Sequence, residues 1–431
     1  MNPRSESIDK GDGAATDRLR GWARLLLVWL VIYCVLGWRI YLPRGPGEAA
    51  PLANVLSAII LLGGVAFDRC LRAEVVASIR RLPWFAGFVF FWAMISLAAP
   101  LFGFPFRTII GAATPLAIGL FGLAGSIVWR DDLVAPSVRF RALMIIAWVQ
   151  FAVGVMQGLW DTGILRFVPF GWLNAWDAAV MNSYGVEHYA GRGFGLYLNP
   201  NPYSLLGGLL LVLALRLPLS RRERIWLAVP SAGIVFLGAS RGVIVALALV
   251  ALPYVIVRVR ALGWRKSLVA IGAIIVGAAT FHFVMSATSG ELYARFIGRW
   301  MSIPALLTRG PSMDPNAIGR LDAWAQAIGY WLGHPFGTLG PPQMAVGTFM
   351  DNDAIALLVQ GGIVLIVAYV GTLVDSVRKR NHSTIQTAVI PLVGMLVLAG
   401  VSQNAVAYVP SIALVWSVLG STGALSGQDR T

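Results

Sequence analysis

The feature that most constrains this chain is a series of apolar runs, each about twenty residues long, separated by short polar connections. A helix rises about 1.5 Å per residue, so a run of that length crosses the hydrocarbon core of a bilayer. Hydrophobic residues make up 57% of the 431 residues and charged residues only 13%, about half the usual share of charge in soluble domains. The sequence therefore predicts an all-α integral membrane protein and excludes soluble enzyme folds.

The positions of the apolar runs predict about twelve transmembrane helices and two long loops. The predicted division is a tail at 1–22, helices 1–5 in 23–160, a loop at 161–201, helices 6–9 in 202–285, a large loop at 286–351, helices 10–12 in 352–425 and a tail at 426–431.

The net charge of +14 is explained by topology, because the basic clusters fall in every second connection. Such clusters mark cytoplasmic loops. Both tails are therefore expected to be cytoplasmic, and the two long loops are expected to face outward, which in a bacterium means the periplasm. Nucleic acid is not expected as a partner. The two cysteines, Cys34 and Cys70, predict neither a disulfide framework nor a thiolate metal site.

Three arginines on the predicted outward side run against this charge bias. Arg192 lies between glycines, Arg241 stands where two spans join almost without a loop, and Arg320 begins an amphipathic stretch. An unpaired cation is costly at the membrane boundary, and a guanidinium binds phosphate oxygens bidentately. The three residues predict a site for an anionic, phosphorylated, lipid-linked ligand. The alternative is that they bind lipid headgroups or cap helix ends.

The stretch from Asn316 to Leu332 has the pattern of an amphipathic helix. Leu321, Trp324, Ile328 and Trp331 recur at helical spacing, and Arg320 is expected to point elsewhere. We expect this helix to lie along the membrane surface with its tryptophans at headgroup level.

Candidate acid–base groups lie in the same outward regions. Asp351, in Met350-Asp351-Asn352-Asp353, is either the N-cap of the next helix or a general base toward a sugar hydroxyl. Asp351 and Asp353 also resemble a metal-binding pair, although residues two apart on a regular helix diverge. His188 and His334 lie in the two long loops and are candidates for proton transfer, with a structural role as the alternative.

Absent motifs narrow the functional classes. The sequence has no Walker A loop, no His-Glu-x-x-His and no Gly-x-Ser-x-Gly, so nucleotide hydrolysis, zinc proteolysis and serine-hydrolase chemistry have no signature. The predicted span interiors contain no Asp or Glu. This weakens a solute-transporter interpretation, because ion-coupled transporters usually place ionisable groups near the midplane.

Four segments together resemble the O-antigen ligase and O-antigen polymerase superfamily of bacterial inner-membrane glycosyltransferases. The likeness covers roughly residues 185–370. The segments are Gly191–Gly195 with Asn199–Asn201, Gly238–Gly242, Gly319–Trp324 with Gly333–Gly340, and Asp351-Asn352 with Gly362 ten residues after Asn352.

The resemblance implies a glycosyltransferase C type fold and a metal-independent transfer, without cofactor, from an undecaprenyl-diphosphate-linked glycan to a sugar hydroxyl in the periplasm. It assigns the donor diphosphate to Arg241 and Arg320, with Arg192 assisting. Fixed guanidinium groups can stabilise the charge that develops on such a leaving group. Membrane lipids, a glycan or lipid acceptor and a chain-length regulator or flippase are the partners that it implies.

One position departs from the resemblance, because Asp351 stands where the family has a histidine as its proposed base. Either Asp351 serves as base, or His334 or His188 has taken that role, or the acceptor differs. The departure favours a polymerase of O-antigen or exopolysaccharide over a ligase that attaches glycan to lipid A core. The alternative from another class is a solute transporter whose outward arginines attract an anion.

Overall fold

The computed structural model of the chain describes residues 4–37, 52–161, 194–197, 199–262, 297–298, 308, 315–347, 350–379, 384–403, 405–406 and 409–422. These residues form helices and turns and contain no strand. The α-helices are α1 (Arg4–Leu36), α2 (Leu52–Phe67), α3 (Arg69–Arg81), α4 (Pro83–Ala98), α5 (Ala113–Val128), α6 (Pro136–Asp161), α7 (Pro200–Arg216), α8 (Arg221–Gly238), α9 (Arg241–Leu262), α10 (Pro315–Gly333), α11 (Pro342–Val346), α12 (Asp353–Arg378), α13 (Val389–Ser402) and α14 (Val409–Ser421). Short 3-10 helices cover Ala99–Phe102, Phe106–Ala112 and Thr384–Ala388.

Several of these helices are long and apolar enough to cross a bilayer, which supports an integral, multi-pass α-helical membrane protein. Within the described residues the stretches that qualify are Ala14–Leu36, Pro83–Phe102, Thr108–Val128, Pro136–Gln157 and Asp353–Arg378. The count rises from 5 to 6 if α2 and α3, which meet at a bend of 108°, form one span.

The predicted count of about twelve spans is not reproduced by these criteria. Helices α2, α13 and α14 contain only 16, 14 and 13 residues, so each is shorter than a full crossing. A hydropathy pattern predicts one continuous helix for an apolar run even where the chain bends or leaves the helical conformation. Part of the predicted helix 6–9 region, from residue 263 to residue 285, lies outside the described residues.

The core of the bundle lies around α7 and α14. Nearly all of α7 is buried, as is the stretch of α14 that includes Ile412, Trp416 and Leu419. A helix that is buried on every side is surrounded by others. Glycines allow the backbones to approach, since a Cβ on Gly125 of α5 would overlap the carbonyl group of Ser417. By contrast α12 exposes an apolar stripe, including Ile363, Val367 and Val370, as expected of a lipid-facing surface.

Helix α12 is broken inside its candidate span. Gly361 and Gly362 leave the helical conformation, and Gly362 has φ +61°. The segment that follows α10 covers the break: Thr338 N donates to Val359 O at 2.7 Å and Leu339 N donates to Gln360 O at 3.0 Å. Carbonyl groups released by a break at membrane depth need such partners. The predicted loop 286–351 is therefore not wholly outside the bundle.

Two glycines make this contact sterically feasible. A Cβ on Gly337, whose φ is +81°, would lie 2.6 Å from Gly362 N, and a Cβ on Gly362 would lie 2.7 Å from the carbonyl carbon of Phe336. Both glycines belong to segments that the sequence analysis singled out. The structure assigns them to backbone packing, where a side chain would separate the two segments.

Replacing Gly337 or Gly362 by alanine is expected to destabilise the protein by more than about 2 kcal/mol, because a left-handed conformation and a backbone clash act together. The measurement is the melting temperature of the detergent-solubilised chain. Gly347→Ala is the matched control, since Gly347 has φ +76° but open space around its Cβ position, so only the conformational cost of about 1–2 kcal/mol remains. Equal melting temperatures for the three variants would contradict the packing role.

Candidate functional site

The centre of the candidate site is an ion pair between α10 and the residue that precedes the N-terminus of α12. Arg320 Nε donates to Asp351 Oδ2 at 3.0 Å. The side chains are 36% and 25% exposed, so the pair is half-buried and a ligand can reach it. Both residues stand out in the sequence, but nothing in the sequence pattern indicates that they touch.

The orientation of α10 corrects one expectation. Arg320 lies at helical spacing from Ala327 and Trp331, which pack with Met350, Ala356 and Val359. Leu321 and Ile328 are instead 47% and 42% exposed. The expectation that Arg320 points away from the side of Trp331 is therefore wrong, whereas the exposure of Leu321 and Ile328 is compatible with the expected contact with the membrane surface. The small side chains of α12 admit this face of α10, and Asp351 supplies the guanidinium with a partner.

The N-cap alternative for Asp351 is also wrong, because Asn352 caps α12. The Asn352 side chain accepts a hydrogen bond from Ile355 N at 3.0 Å and donates from Nδ2 to Val401 O at 3.1 Å. Asn352 thus performs the capping role and ties α12 to the end of α13. Asp351 is left to interact with Arg320.

Burial raises the pKa of Asp351 above 3.8, and the Arg320 guanidinium opposes this by its charge and its hydrogen bond. The desolvation of the carboxylate is the larger effect. A carboxylate with a raised pKa is a stronger base than one in water, which is the property needed to accept a proton from a hydroxyl group. The electrostatics of Asp351 therefore suit acid–base work.

The two aspartates have different partners, because Asp353 contacts the turn between α13 and α14 while Asp351 pairs with Arg320. Asp353 is 3% exposed, and its Oδ1 accepts a hydrogen bond from Val406 N at 2.8 Å in the turn between α13 and α14. Gly400 leaves room for the carboxylate, since a Cβ there would overlap Asp353 Oδ2. Within the described residues no cluster of three or more His, Cys, Asp or Glu side chains is arranged to hold a metal ion.

Arg241 is the first residue of α9, directly after a tight turn. A Cβ on Gly238 would lie 2.8 Å from Ser204 Cβ in α7, and a Cβ on Gly242 would lie 2.8 Å from Ser402 Cβ. Ser402 follows Val401, whose carbonyl group binds Asn352. Gly242 and Asn352 therefore both contact the C-terminal end of α13. Gly242 follows Arg241 in the chain, and Asn352 follows Asp351.

Strained backbone conformations occur in the turn before Arg241 and in the segment that covers the α12 break. In the part of the chain that the structure describes, the non-glycine residues with positive φ are Ala239 at +44° and Leu339 at +56°. Ala239 lies in the turn before Arg241, and Leu339 lies in the segment that covers the α12 break. Such conformations persist where the surrounding structure enforces them, often at functional sites.

Two glutamines of α6 fix the segment before α7. Gln157 Oε1 accepts hydrogen bonds from Phe194 N at 3.0 Å and Gly195 N at 2.8 Å, and Gln150 Oε1 accepts one from Leu196 N at 2.9 Å. The sequence analysis missed both glutamines. Their spacing of seven residues within an apolar run, which places them on one helix face, was the available signal. Arg192 and His188 lie outside the described residues.

His334 is not brought to the Arg320–Asp351 pair. It follows the last turn of α10, about 20 Å along the helix axis from Arg320. Its Nδ1 lies 3.0 Å from Tyr330 O, and its ring stacks on the Tyr330 ring with centroids 4.3 Å apart. These contacts match the structural alternative for His334, and Asp351 is the candidate acid–base residue that the described structure places beside Arg320.

No protein-family model matches the chain, and no curated protein sequence matches it. Its function is therefore inferred from the residues and their geometry.

The raised pKa of Asp351 predicts a distinct pH dependence of stability. Protonated Asp351 stabilises the folded state relative to the unfolded chain. This stabilisation is fully present at pH values below the pKa of Asp351 in the unfolded chain, and it is lost as pH rises through the pKa of Asp351 in the folded protein. The melting temperature of the wild type minus that of the Asp351→Asn variant should therefore fall as pH rises through the acidic range. In an Arg320→Gln background this fall should occur at higher pH, because the group that lowers the pKa is gone. Melting curves that stay parallel at every pH would contradict the assignment.

Proposed function

We propose that this chain is a polysaccharide polymerase of the bacterial inner membrane, which transfers glycan from an undecaprenyl-diphosphate donor to a sugar hydroxyl on the periplasmic side. The observation that carries the proposal is the accessible pair of Arg320 and Asp351. It joins a phosphate-binding cation to a carboxylate of raised pKa. The resemblance in the four sequence segments supports the same conclusion.

The donor diphosphate is bound by Arg320 and Arg241. Within the described residues Arg320 hydrogen bonds only through Nε, so its two terminal nitrogens can engage phosphate oxygens in the bidentate geometry that guanidinium groups favour. Arg241 is held at the start of α9 by the turn that packs on α7 and α13. Arg192 assists. Together these cations stabilise the negative charge that grows on the diphosphate as it departs.

Asp351 acts as the general base. The acceptor hydroxyl group gives its proton to the Asp351 carboxylate while its oxygen bonds to the anomeric carbon, and the bond from that carbon to the diphosphate breaks with its electron pair. Phosphate groups that compete for Arg320 weaken the interaction that lowers the Asp351 pKa. Donor binding therefore makes Asp351 a stronger base when the acceptor arrives.

The proposal includes a topology of twelve spans in a glycosyltransferase C type bundle, with the site facing the periplasm. The charge pattern of the sequence supports this sidedness. A helix shorter than the hydrocarbon thickness can be accommodated by local thinning of the bilayer, which this topology requires at α13 and α14. A flippase that supplies the donor and a chain-length regulator are the protein partners of such an enzyme.

Replacing Arg241 or Arg320 by alanine is expected to reduce polymer formation at least about 100-fold, because each removes a cation that stabilises the leaving group. Lysine at either position should restore only part of the activity, since it binds phosphate as a point charge. The measurement is the ladder of surface polymer in cells that lack the chromosomal copy. Membrane levels of each variant are measured in parallel.

Arg80→Ala is the matched control, because Arg80 is an exposed arginine at the C-terminal end of α3, outside the site. It should give wild-type polymer. Normal polymer in both Arg241→Ala and Arg320→Ala cells would refute the donor site. Unimpaired Asp351→Asn would leave the donor site in place but move the base elsewhere.

Deleting the gene distinguishes the polymerase from its alternatives. A polymerase deletion leaves a single repeat unit on the surface lipid, a ligase deletion leaves no O-chain, and loss of solute uptake with unchanged glycans indicates a transporter. The purified protein with a lipid-diphosphate glycan should also form elongated product in the presence of a chelator. Failure to elongate until a divalent cation is restored would contradict the metal-independent mechanism.

A further inference from the structure

A second region with unassigned chemistry lies at the opposite end of α8. A surface cavity of about 410 Å³ is lined by Arg221, Arg222, Ile225 and Trp226. The Gly238 end of α8, which contacts the start of α7, is roughly 25 Å away along the helix. The cavity is thus separate from the Arg320–Asp351 site, and by the charge pattern it faces the cytoplasm.

The two arginines of this cavity form no ion pair among the residues described by the structure. Other cations near the cytoplasmic side, Arg130, Arg139 and Lys379, each pair with a carboxylate. The nearest acid along the chain, Glu223, is engaged in the capping box, where Ser220 N donates to Glu223 Oε2 at 2.9 Å. The guanidinium groups of Arg221 and Arg222 are therefore available to an external anion.

Apolar surface continues from the arginines along α8. Ile225, Trp226 and Val229 are 51%, 47% and 53% exposed. Trp226 is held in place by Trp148, with ring centroids 5.5 Å apart and a hydrogen bond from Trp148 Nε1 to Trp226 O at 3.0 Å. Along α8 the two arginines come first, Ile225 and Trp226 follow one turn later, and Val229 lies about one turn beyond them.

We propose that this cavity binds an anionic phospholipid of the cytoplasmic leaflet. The lipid phosphate contacts Arg221 and Arg222, and its glycerol and upper acyl chain lie against Trp226, Ile225 and Val229. A free phosphate ion would use only the arginines and would leave the apolar part of the surface unfilled. The order of chemistry along α8 therefore favours an amphiphile over a soluble anion.

The test uses the purified full-length chain in detergent, with native mass spectrometry to measure binding of phosphatidylglycerol and of phosphatidylcholine. Phosphatidylglycerol should bind, and Arg221→Gln with Arg222→Gln should weaken it about thirtyfold, since each arginine near a lipid anion contributes about 1 kcal/mol. Arg69→Gln with Arg80→Gln, which removes the same charge from exposed positions of α3, should leave binding unchanged. Ile225→Gln should weaken phosphatidylglycerol but not inorganic phosphate.

Equal binding of both lipids to the wild type, or equal phosphatidylglycerol binding by the wild type and the Arg221/Arg222 variant, would overturn the proposal. Displacement of the lipid by an equal concentration of inorganic phosphate would indicate a general anion site instead. None of these outcomes depends on polymer formation, so the lipid site and the enzymatic proposal stand or fall separately.

Discussion

The arrangement of the candidate site depends on the need to satisfy the backbone carbonyl groups at the break in α12. A membrane helix cannot leave such groups unpaired in lipid, and here Val359 and Gln360 receive their hydrogen bonds from Thr338 and Leu339. This contact fixes the segment that follows α10 against α12. Since α10 also packs on Ala356 and Val359, Arg320 is held beside Asp351.

The C-terminal end of α13 links the rest of the site. It accepts the Asn352 side chain at Val401 O, makes room for Asp353 at Gly400 and contacts Gly242 through Ser402. Helices α9 and α12 therefore begin against a common surface, and the residues that start or precede them, Arg241 and Asp351, are positioned by backbone packing. The positive φ of Ala239, in the turn before α9, shows that this packing overrides local backbone preference there.

The class of the protein was predictable from the sequence, and Arg320 and Asp351, which the structure brings together, both stood out in it. Lipid solubility requires long apolar runs, and charge bias orients them, so both signals are present in the sequence. The segments containing Arg241, Arg320 and Asp351 stood out because their glycines and charges are unusual at such positions. Helix lengths were less predictable, because hydropathy does not register the bend at Asp68 or the break at Gly361.

Other features depend on contacts that the sequence does not encode locally. Periodicity predicted that Arg320 points away from the apolar side of α10, yet Arg320 is turned toward Asp351, a partner 31 residues later in the chain. Likewise Asn352, and not Asp351, caps α12, and its amide nitrogen also bonds to Val401, a residue 49 positions later in the chain. The two glutamines of α6 were missed because their partners lie about forty residues away, in a segment with no regular structure.

The proposed mechanism requires Arg320 to exchange Asp351 for the donor diphosphate, and the exposure of the pair bears on the cost of that exchange. Ion pairs that are open to solvent contribute at most about 1 kcal/mol, so a diphosphate can take the guanidinium from the carboxylate at little cost. A fully buried pair would resist that exchange, because separating it would leave an uncompensated charge. The 36% exposure of Arg320 is therefore compatible with the exchange of partners that the proposed mechanism requires, and the 25% exposure of Asp351 is compatible with the desolvation that the proposed base needs.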